Sequence, residues 1–203
     1  MEKRKRGILL LLMVLGFMIL GKQQFDYSLQ SSIAGKVIRF HVLANSDSDM
    51  DQEIKLKVRD DVGAYMEQLL SESESIEQTR QIIRKNLTGI TEVANQSLMD
   101  QEVDYRAVAS LSYSEFPEKE YEGLTFPEGE YEALTITLGK GEGHNWWCVM
   151  YPNLCFSNSL YRYNDKEWKR FQKTLTPREY RKILESGNYT IRFKFLEYLK
   201  KKR

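Results

Sequence analysis

The spacing of apolar residues changes once along this chain, and that change constrains the fold more than any other feature. Before about residue 100, apolar side chains recur at the three- to four-residue spacing of a helix face in two stretches, 54–69 and 76–98. After Asp100 they alternate with polar residues, as in a strand with one buried face. Two helices followed by a group of strands predict an α+β fold, a mostly antiparallel sheet with helices packed on one face.

Local signals place the individual elements. A strand is predicted over residues 37–44, with Ser48 and Ser75 as caps of the two long helices. Gly89 inside the second helix indicates a kink. Pro177 opens a short C-terminal helix. The alternating and apolar runs predict strands over residues 103–113, 121–126, 131–138, 146–151 and 189–198.

The N-terminus has the layout of a signal peptide. Basic residues 3–6 precede thirteen uncharged residues, 8–20. As a helix this stretch spans roughly 20 Å, less than the ~30 Å hydrocarbon core of a bilayer. We therefore expect residues 1–35 to be a signal peptide or short membrane anchor followed by a polar tether, and residues 36–203 to form one domain. Cleavage near Gly21, cleavage after residues 32–34 and retention as an anchor all remain open.

Composition and motifs exclude several classes of function. The chain has 203 residues and a net charge of +1, which gives no reason to expect a nucleic-acid partner. It contains no P-loop, dinucleotide glycine motif, HExxH or GxSxG sequence. No cofactor or metal is expected, and no residue is assigned a catalytic role.

The segment 143–156 holds both cysteines and two of the three tryptophans. Because exported cysteines usually pair, Cys148 and Cys155 are predicted to form a disulfide that fixes the shape of one hairpin. Trp146 and Trp147 must face opposite sides of a strand, so one is expected in the core and the other at an interface.

His41 and the cysteine segment allow two further arrangements. A zinc site could combine His41, His144, Cys148 and Cys155, although the spacing lacks a CxxC knuckle. Alternatively Cys148 and His41 could be a nucleophile pair of an envelope hydrolase, with Asn45 or Asp47 orienting the imidazole. Both need free thiols, which a disulfide would remove.

The turn of Asn45, Ser46, Asp47 and Ser48 has two interpretations. It serves either as a helix cap or as a rigid polar surface for a partner. Together with His41, Trp146 and Trp147, the residues Asn45, Ser46 and Asp47 are the candidates for partner binding.

These residues also carry a resemblance to a known family. The run VIRFHVLANSDS at residues 37–48, with residues 51–52 and 56–60, resembles the opening signature of the stage II sporulation protein R family. Residues 143–156 resemble its second signature, and residues 126–134 fit between the two. The similarity extends from about residue 36 to 160.

The resemblance implies an exported signal rather than an enzyme. Members are expected to pass from the forespore into the space between the two membranes that separate it from the mother cell. There they trigger a membrane-embedded aspartic protease that processes pro-sigma E. An uncleaved chain would also contact the membrane through residues 8–20.

Overall fold

The computed structural model describes residues 2–121, 124–154 and 165–185. Its helices are α1 (Glu2–Ala34), α2 (Asp49–Leu70), α3 (Ile76–Asp100), α4 (Asp165–Thr174) and α5 (Pro177–Glu185). Its strands are β1 (Ile38–Leu43), β2 (Ala107–Phe116), β3 (Lys119–Tyr121), β4 (Leu124–Phe126), β5 (Gly129–Leu138) and β6 (Asn145–Tyr151).

The main sheet has four strands in the order β2-β5-β1-β6. β2 and β6 run antiparallel to their neighbours, whereas the central pair β1–β5 is parallel. The α+β class is therefore confirmed, and the sheet is mixed rather than strictly antiparallel. β3 and β4 form a separate two-stranded sheet.

The long helices α2 and α3 cover one face of the sheet. Phe40 and Val42 of β1 and Leu134 and Ile136 of β5 point into this core and have no exposed surface. The helices begin as predicted: the Ser48 hydroxyl accepts the Asp51 amide, and the Ser75 hydroxyl accepts the Gln78 amide. Hydrogen-bonding caps of this kind satisfy amides that the first turn leaves unpaired.

Gly89 lies where α3 approaches α2, and α3 runs through it from Ile76 to Asp100 as one helix. A Cβ atom at Gly89 would stand 2.7 Å from the hydroxyl oxygen of Tyr65 on α2. The absence of a side chain at Gly89 therefore leaves room for Tyr65 where the two helices approach each other. The presence of a glycine at this position needs no kink to explain it.

The opposite face of the sheet is also covered, contrary to the expectation of helices on one face. Ile33 of α1 and Ile183 of α5 pack there with Phe116, Tyr131 and Val149, and this cluster is the second core of the domain. Helices cover this second face because the strand residues on it are apolar and would otherwise be exposed. α1 and α5 each pack an apolar side chain against them.

Other boundaries differ from the sequence prediction. Residues 22–34, expected to be a polar tether, continue α1, because apolar side chains at Leu29 and Ile33 are one helical turn apart and face the second core. β2 begins at Ala107 instead of residue 103, and α4 was not predicted. The predicted strand at 189–198 lies outside the described residues. Within the parts that are described, no helix is long and apolar enough to cross a membrane.

Candidate functional site

The turn that joins β1 to α2 is organised around the carboxylate of Asp51. Its Oδ2 accepts hydrogen bonds from Asn45 Nδ2 at 3.0 Å and Ser46 Oγ at 2.5 Å. Its Oδ1 accepts the Tyr105 hydroxyl at 2.6 Å. A capping box would direct this carboxylate to the amide of Ser48, but that amide donates to Ser46 Oγ instead. Asp51 thus holds the turn in place through the side chains of Asn45 and Ser46 within the turn and of Tyr105 from the chain just before β2.

The electrostatics of this cluster favour the ionised carboxylate. Burial alone raises the pKa of Asp51, but hydrogen bonds from Ser46, Tyr105 and Asn45 outweigh it and the pKa is lowered. Burial and the same bond to Asp51 raise the pKa of Tyr105, so the phenol stays a donor. The turn is therefore held by a charge-assisted network at neutral pH.

A glycine-containing loop between β5 and β6 packs directly on this turn. Asn45 Oδ1 accepts the Lys140 amide at 3.0 Å, and the Ala44 carbonyl accepts the Gly143 amide at 3.0 Å. A Cβ atom at Gly139 would stand 2.2 Å from Asn45 Oδ1. The glycines that the sequence suggested as a flexible connection instead permit a close contact.

Asp47 and His144 form an exposed pair at the tip of the turn. Asp47 Oδ1 accepts the backbone amide of His144 at 2.6 Å and lies 2.5 Å from its Nδ1. The side chains are 55% and 81% exposed, so a partner can reach both. The side-chain bond to His144, followed by the backbone bond, lowers the pKa of Asp47. Lys55 adds a bond from its Nζ to the His144 carbonyl at 3.0 Å.

His41 lies on the opposite face of the sheet from Phe40, in a buried aromatic cluster. Its Nε2 is 2.6 Å from Thr135 Oγ1, and its ring stacks on Trp147 with centroids 4.9 Å apart. Burial, and then the charge of Arg39, lower the pKa of His41 to about 4. The imidazole is therefore neutral at physiological pH and largely inaccessible to a partner, which favours a structural role.

Arg39, which sequence reasoning did not single out, is the charged residue of that cluster. It has no exposed surface; its Nε donates to the Cys148 carbonyl at 3.1 Å and its Nη2 to the Tyr121 hydroxyl at 2.9 Å. Its guanidinium carbon lies 4.4 Å from the ring centroid of Phe116 and 5.0 Å from that of Tyr131. Aromatic faces thus surround a buried cation.

The two tryptophans lie on opposite faces, as strand geometry predicts. Trp146 packs with the α2–α3 core, where its ring meets Phe40 and the guanidinium of Arg59. Trp147 packs with the second core against His41. Both are half-buried, and Trp146 is the one on the α2 side of the sheet.

The arrangement does not bring Cys148 to His41. In the β1–β6 register Cys148 pairs with Phe40, whereas His41 pairs with Trp147, so the two candidate side chains lie on opposite faces. The prediction that Cys148 and His41 form a nucleophile pair is therefore wrong, because their side chains are on opposite faces of the sheet. His144 is bound to Asp47, away from His41, and the described residues contain no metal-ligand cluster of three or more groups. Among the three described positions of the zinc site considered from the sequence, Cys148 lies on the sheet face opposite His41, and His144 is bound to Asp47.

Cys148 is buried and is disulfide-bonded. Cys155, the other cysteine of the sequence, lies outside the described residues, and the pairing of the two stays a prediction. The roles of Asn45, Ser46, Asp47, Trp146 and Trp147 in binding a partner likewise stay predictions, now with Asn45 and Ser46 placed inside the network that holds the turn.

Comparison with known proteins agrees with the two sequence signatures. A family model described as stage II sporulation protein R matches residues 34–161. The chain is 35% identical over 124 residues to the "Stage II sporulation protein R" of Bacillus subtilis (strain 168), a match that covers 61% of this chain and 55% of that protein. No solved structure matches.

The matched residues include β1, the turn with Asp51, the loop at Gly143 and β6, which are the elements that build the site. The chain belongs to the stage II sporulation protein R family.

Proposed function

We propose that this chain is an exported signalling protein of sporulation that acts by binding. In this proposal it passes from the forespore into the space between the two membranes and triggers a membrane-embedded aspartic protease of the mother cell, which then processes pro-sigma E. Membership of the family supports the role in sporulation. The identities of the protease partner and of its pro-sigma E substrate go beyond what family membership supports.

The exposed Asp47–His144 pair on a rigid turn is the observation that carries a binding role. Both side chains are accessible, yet their backbones are fixed by the Asp51 network and by the loop at Gly143. A surface that is already ordered loses little conformational entropy when it binds, and that favours affinity. Polar groups displayed on a rigid scaffold are typical of recognition loops.

The mechanism that we propose is a population shift. The domain binds the outward face of the protease more tightly in its active arrangement than in its resting one. The difference between the two binding free energies then moves the protease toward the active state. No bond is made or broken by this chain in that step.

Reconstitution of the full chain with the membrane protease and its pro-sigma substrate tests this directly. Asp47→Ala and His144→Ala each remove an exposed group, and we expect each to lower stimulated processing at least tenfold, as truncation of a group at a binding centre does. The melting temperature should fall by no more than about 2 °C, because exposed ion pairs contribute little to stability. Asp100→Ala, an exposed aspartate at the end of α3, is the matched control. Normal stimulation by both variants would rule out this contact surface.

A further inference from the structure

The last turns of α1 are part of the folded domain. Ile33 has no exposed surface and packs in the second core, where Leu29 and Ala34 are partly buried beside it. Burial of an isoleucine removes its apolar surface from water and so favours the folded state. The stretch that the sequence suggested as a tether therefore supplies core residues.

One buried carboxylate joins this helix to the C-terminal helix α5. Glu179, 1% exposed, accepts hydrogen bonds from Ser32 Oγ at 2.5 Å and from Lys36 Nζ at 2.6 Å. It also accepts the Thr176 amide at 2.5 Å, while its own amide donates to Thr176 Oγ1 at 3.3 Å. Glu179 thus completes the capping box of α5 and is also bound to Ser32 of α1 and to Lys36, which follows α1.

The ionised form of Glu179 is strongly favoured. Burial alone raises its pKa, but the bonds from Lys36, Ser32 and Thr176 outweigh it and lower the pKa to about 2. A buried carboxylate that loses its partners leaves an uncompensated charge, which strongly destabilises the folded state. Removal of Ser32 by proteolysis would leave Glu179 one partner short.

Among the α1 residues whose side chains the structure describes, Phe25 and Gln30 contact the rest of the molecule. The guanidinium carbon of Arg178 lies 5.7 Å from the Phe25 ring, and Gln30 Nε2 donates to the Glu130 carbonyl at 3.3 Å. By contrast, nothing lies within 4 Å of a Cβ built at Gly16 or Gly21. The helix is therefore free at Gly21 and held from Phe25 onward.

We infer that residues 25–34 remain in the processed protein, so that any removal of an N-terminal leader ends before Phe25. Cleavage after Ala34, which the small residues at 32 and 34 allow, would take Ile33 from the core and Ser32 from Glu179. Cleavage in the exposed stretch around Gly21 would remove neither the Ile33 side chain from the core nor the Ser32 hydroxyl from Glu179. The existence of a cut rests on the export proposed above, whereas the structural role of residues 25–34 does not.

Two substitutions in the full-length chain test the structural part. Ile33→Ala leaves a cavity in the second core, and Glu179→Gln loses the charge-assisted bonds to Ser32 and Lys36. We expect each to lower the melting temperature by about 5 °C or more. Leu20→Ala, on the exposed part of α1, and Glu92→Gln, exposed on α3, are the controls and should leave it within about 1 °C. Equal effects in test and control variants would overturn the inference.

N-terminal sequencing of the protein recovered from sporulating cells tests the processing. A first residue at or before Phe25, including an uncleaved chain, is the expected result. A first residue between 26 and 35 in a stable, active protein would overturn the inference. If the protein is found only inside the producing cell, the proposed export fails, while the melting temperatures still report on the role of α1.

Discussion

Gly143 lies so close to Ser46 that a Cβ atom on the glycine would stand 2.1 Å from the Ser46 carbonyl oxygen. The amide of the same glycine donates to the Ala44 carbonyl at 3.0 Å. The loop before β6 and the turn after β1 are therefore in backbone contact, and only a residue without a side chain fits between them.

Gly143→Ala is accordingly expected to lower the free energy of unfolding by about 2 kcal/mol, because the new methyl group must displace backbone. Urea denaturation measures the change. Gly21→Ala serves as the control, since nothing lies within 4 Å of a Cβ there. Similar midpoints for the two variants would show that the loop moves freely away from the turn.

Asp51→Asn should destabilise the turn. The carboxylate accepts three side-chain donors, from Asn45, Ser46 and Tyr105, and an amide NH2 must face at least one of them. We expect a loss of roughly 1–3 kcal/mol in the free energy of unfolding, the usual effect of leaving a buried polar group unpaired. Asp49→Asn, exposed in the same helical turn, is the comparison. A loss no greater than that of Asp49→Asn would contradict the role assigned to Asp51.

His41 predicts a specific dependence of stability on pH. Its pKa is about 4 in the folded protein against 6.5 as the ordinary value, so the folded state binds the proton less tightly than the unfolded chain. Its contribution is complete above pH 6.5 and is lost as the pH falls toward 4. The loss is on the order of 3 kcal/mol at most, at about 1.4 kcal/mol for each pKa unit.

Chemical denaturation between pH 4 and pH 8 measures this contribution. His41→Gln should remove most of the decrease between pH 6.5 and pH 4, whereas His144→Gln, at an exposed position, should retain it. Glu179 contributes in a separate window, because its pKa is lowered from 4.5 to about 2 and its contribution is lost only as the pH falls below 4.5. A His41→Gln profile that matches the unsubstituted protein would contradict the assignment.

Arg39→Lys tests whether the aromatic cluster requires a guanidinium. A lysine keeps the charge but cannot donate to both the Cys148 carbonyl and the Tyr121 hydroxyl while lying over the Phe116 ring as the guanidinium does. We expect a loss of about 2 kcal/mol in the free energy of unfolding, measured by urea denaturation. Lys substitution at Arg106, an exposed arginine before β2, is the control. Equal stability of the two variants would show that charge alone suffices in the cluster.

The elements that the sequence predicted well are those set by local chemistry. The caps at Ser48 and Ser75 and the apolar faces of α2 and α3 follow from neighbouring residues. The parallel pairing of β1 with β5 does not, because it joins positions such as Arg39 and Ala133 that no local pattern relates. The same limit explains α1, in which only Leu29 and Ile33 indicate a buried face among polar residues.

The candidate site shows the same division. The polar residues Asn45 and Ser46 are recognisable as a turn in the sequence, but no local pattern shows that the Asp51 carboxylate accepts hydrogen bonds from both. Arg39 was missed because an arginine in a strand is usually read as an exposed residue, and its aromatic neighbours come from β2, β3, β4 and β5. Arg39 alternates with Phe40 and shares its face of β1 with His41, and this period of two is the signal in the sequence that it faces the second core.

β1 is the first strand of the main sheet to be synthesised, and both of its partners come much later in the chain. β1 ends at Leu43, whereas its neighbours β5 and β6 begin at Gly129 and Asn145. Nascent chain that carries β1 has no strand to pair with until more than half of the polypeptide has been synthesised, and contacts this distant in sequence slow folding. The order of elements thus delays completion of the sheet until the segments that carry β5 and β6 have both been synthesised.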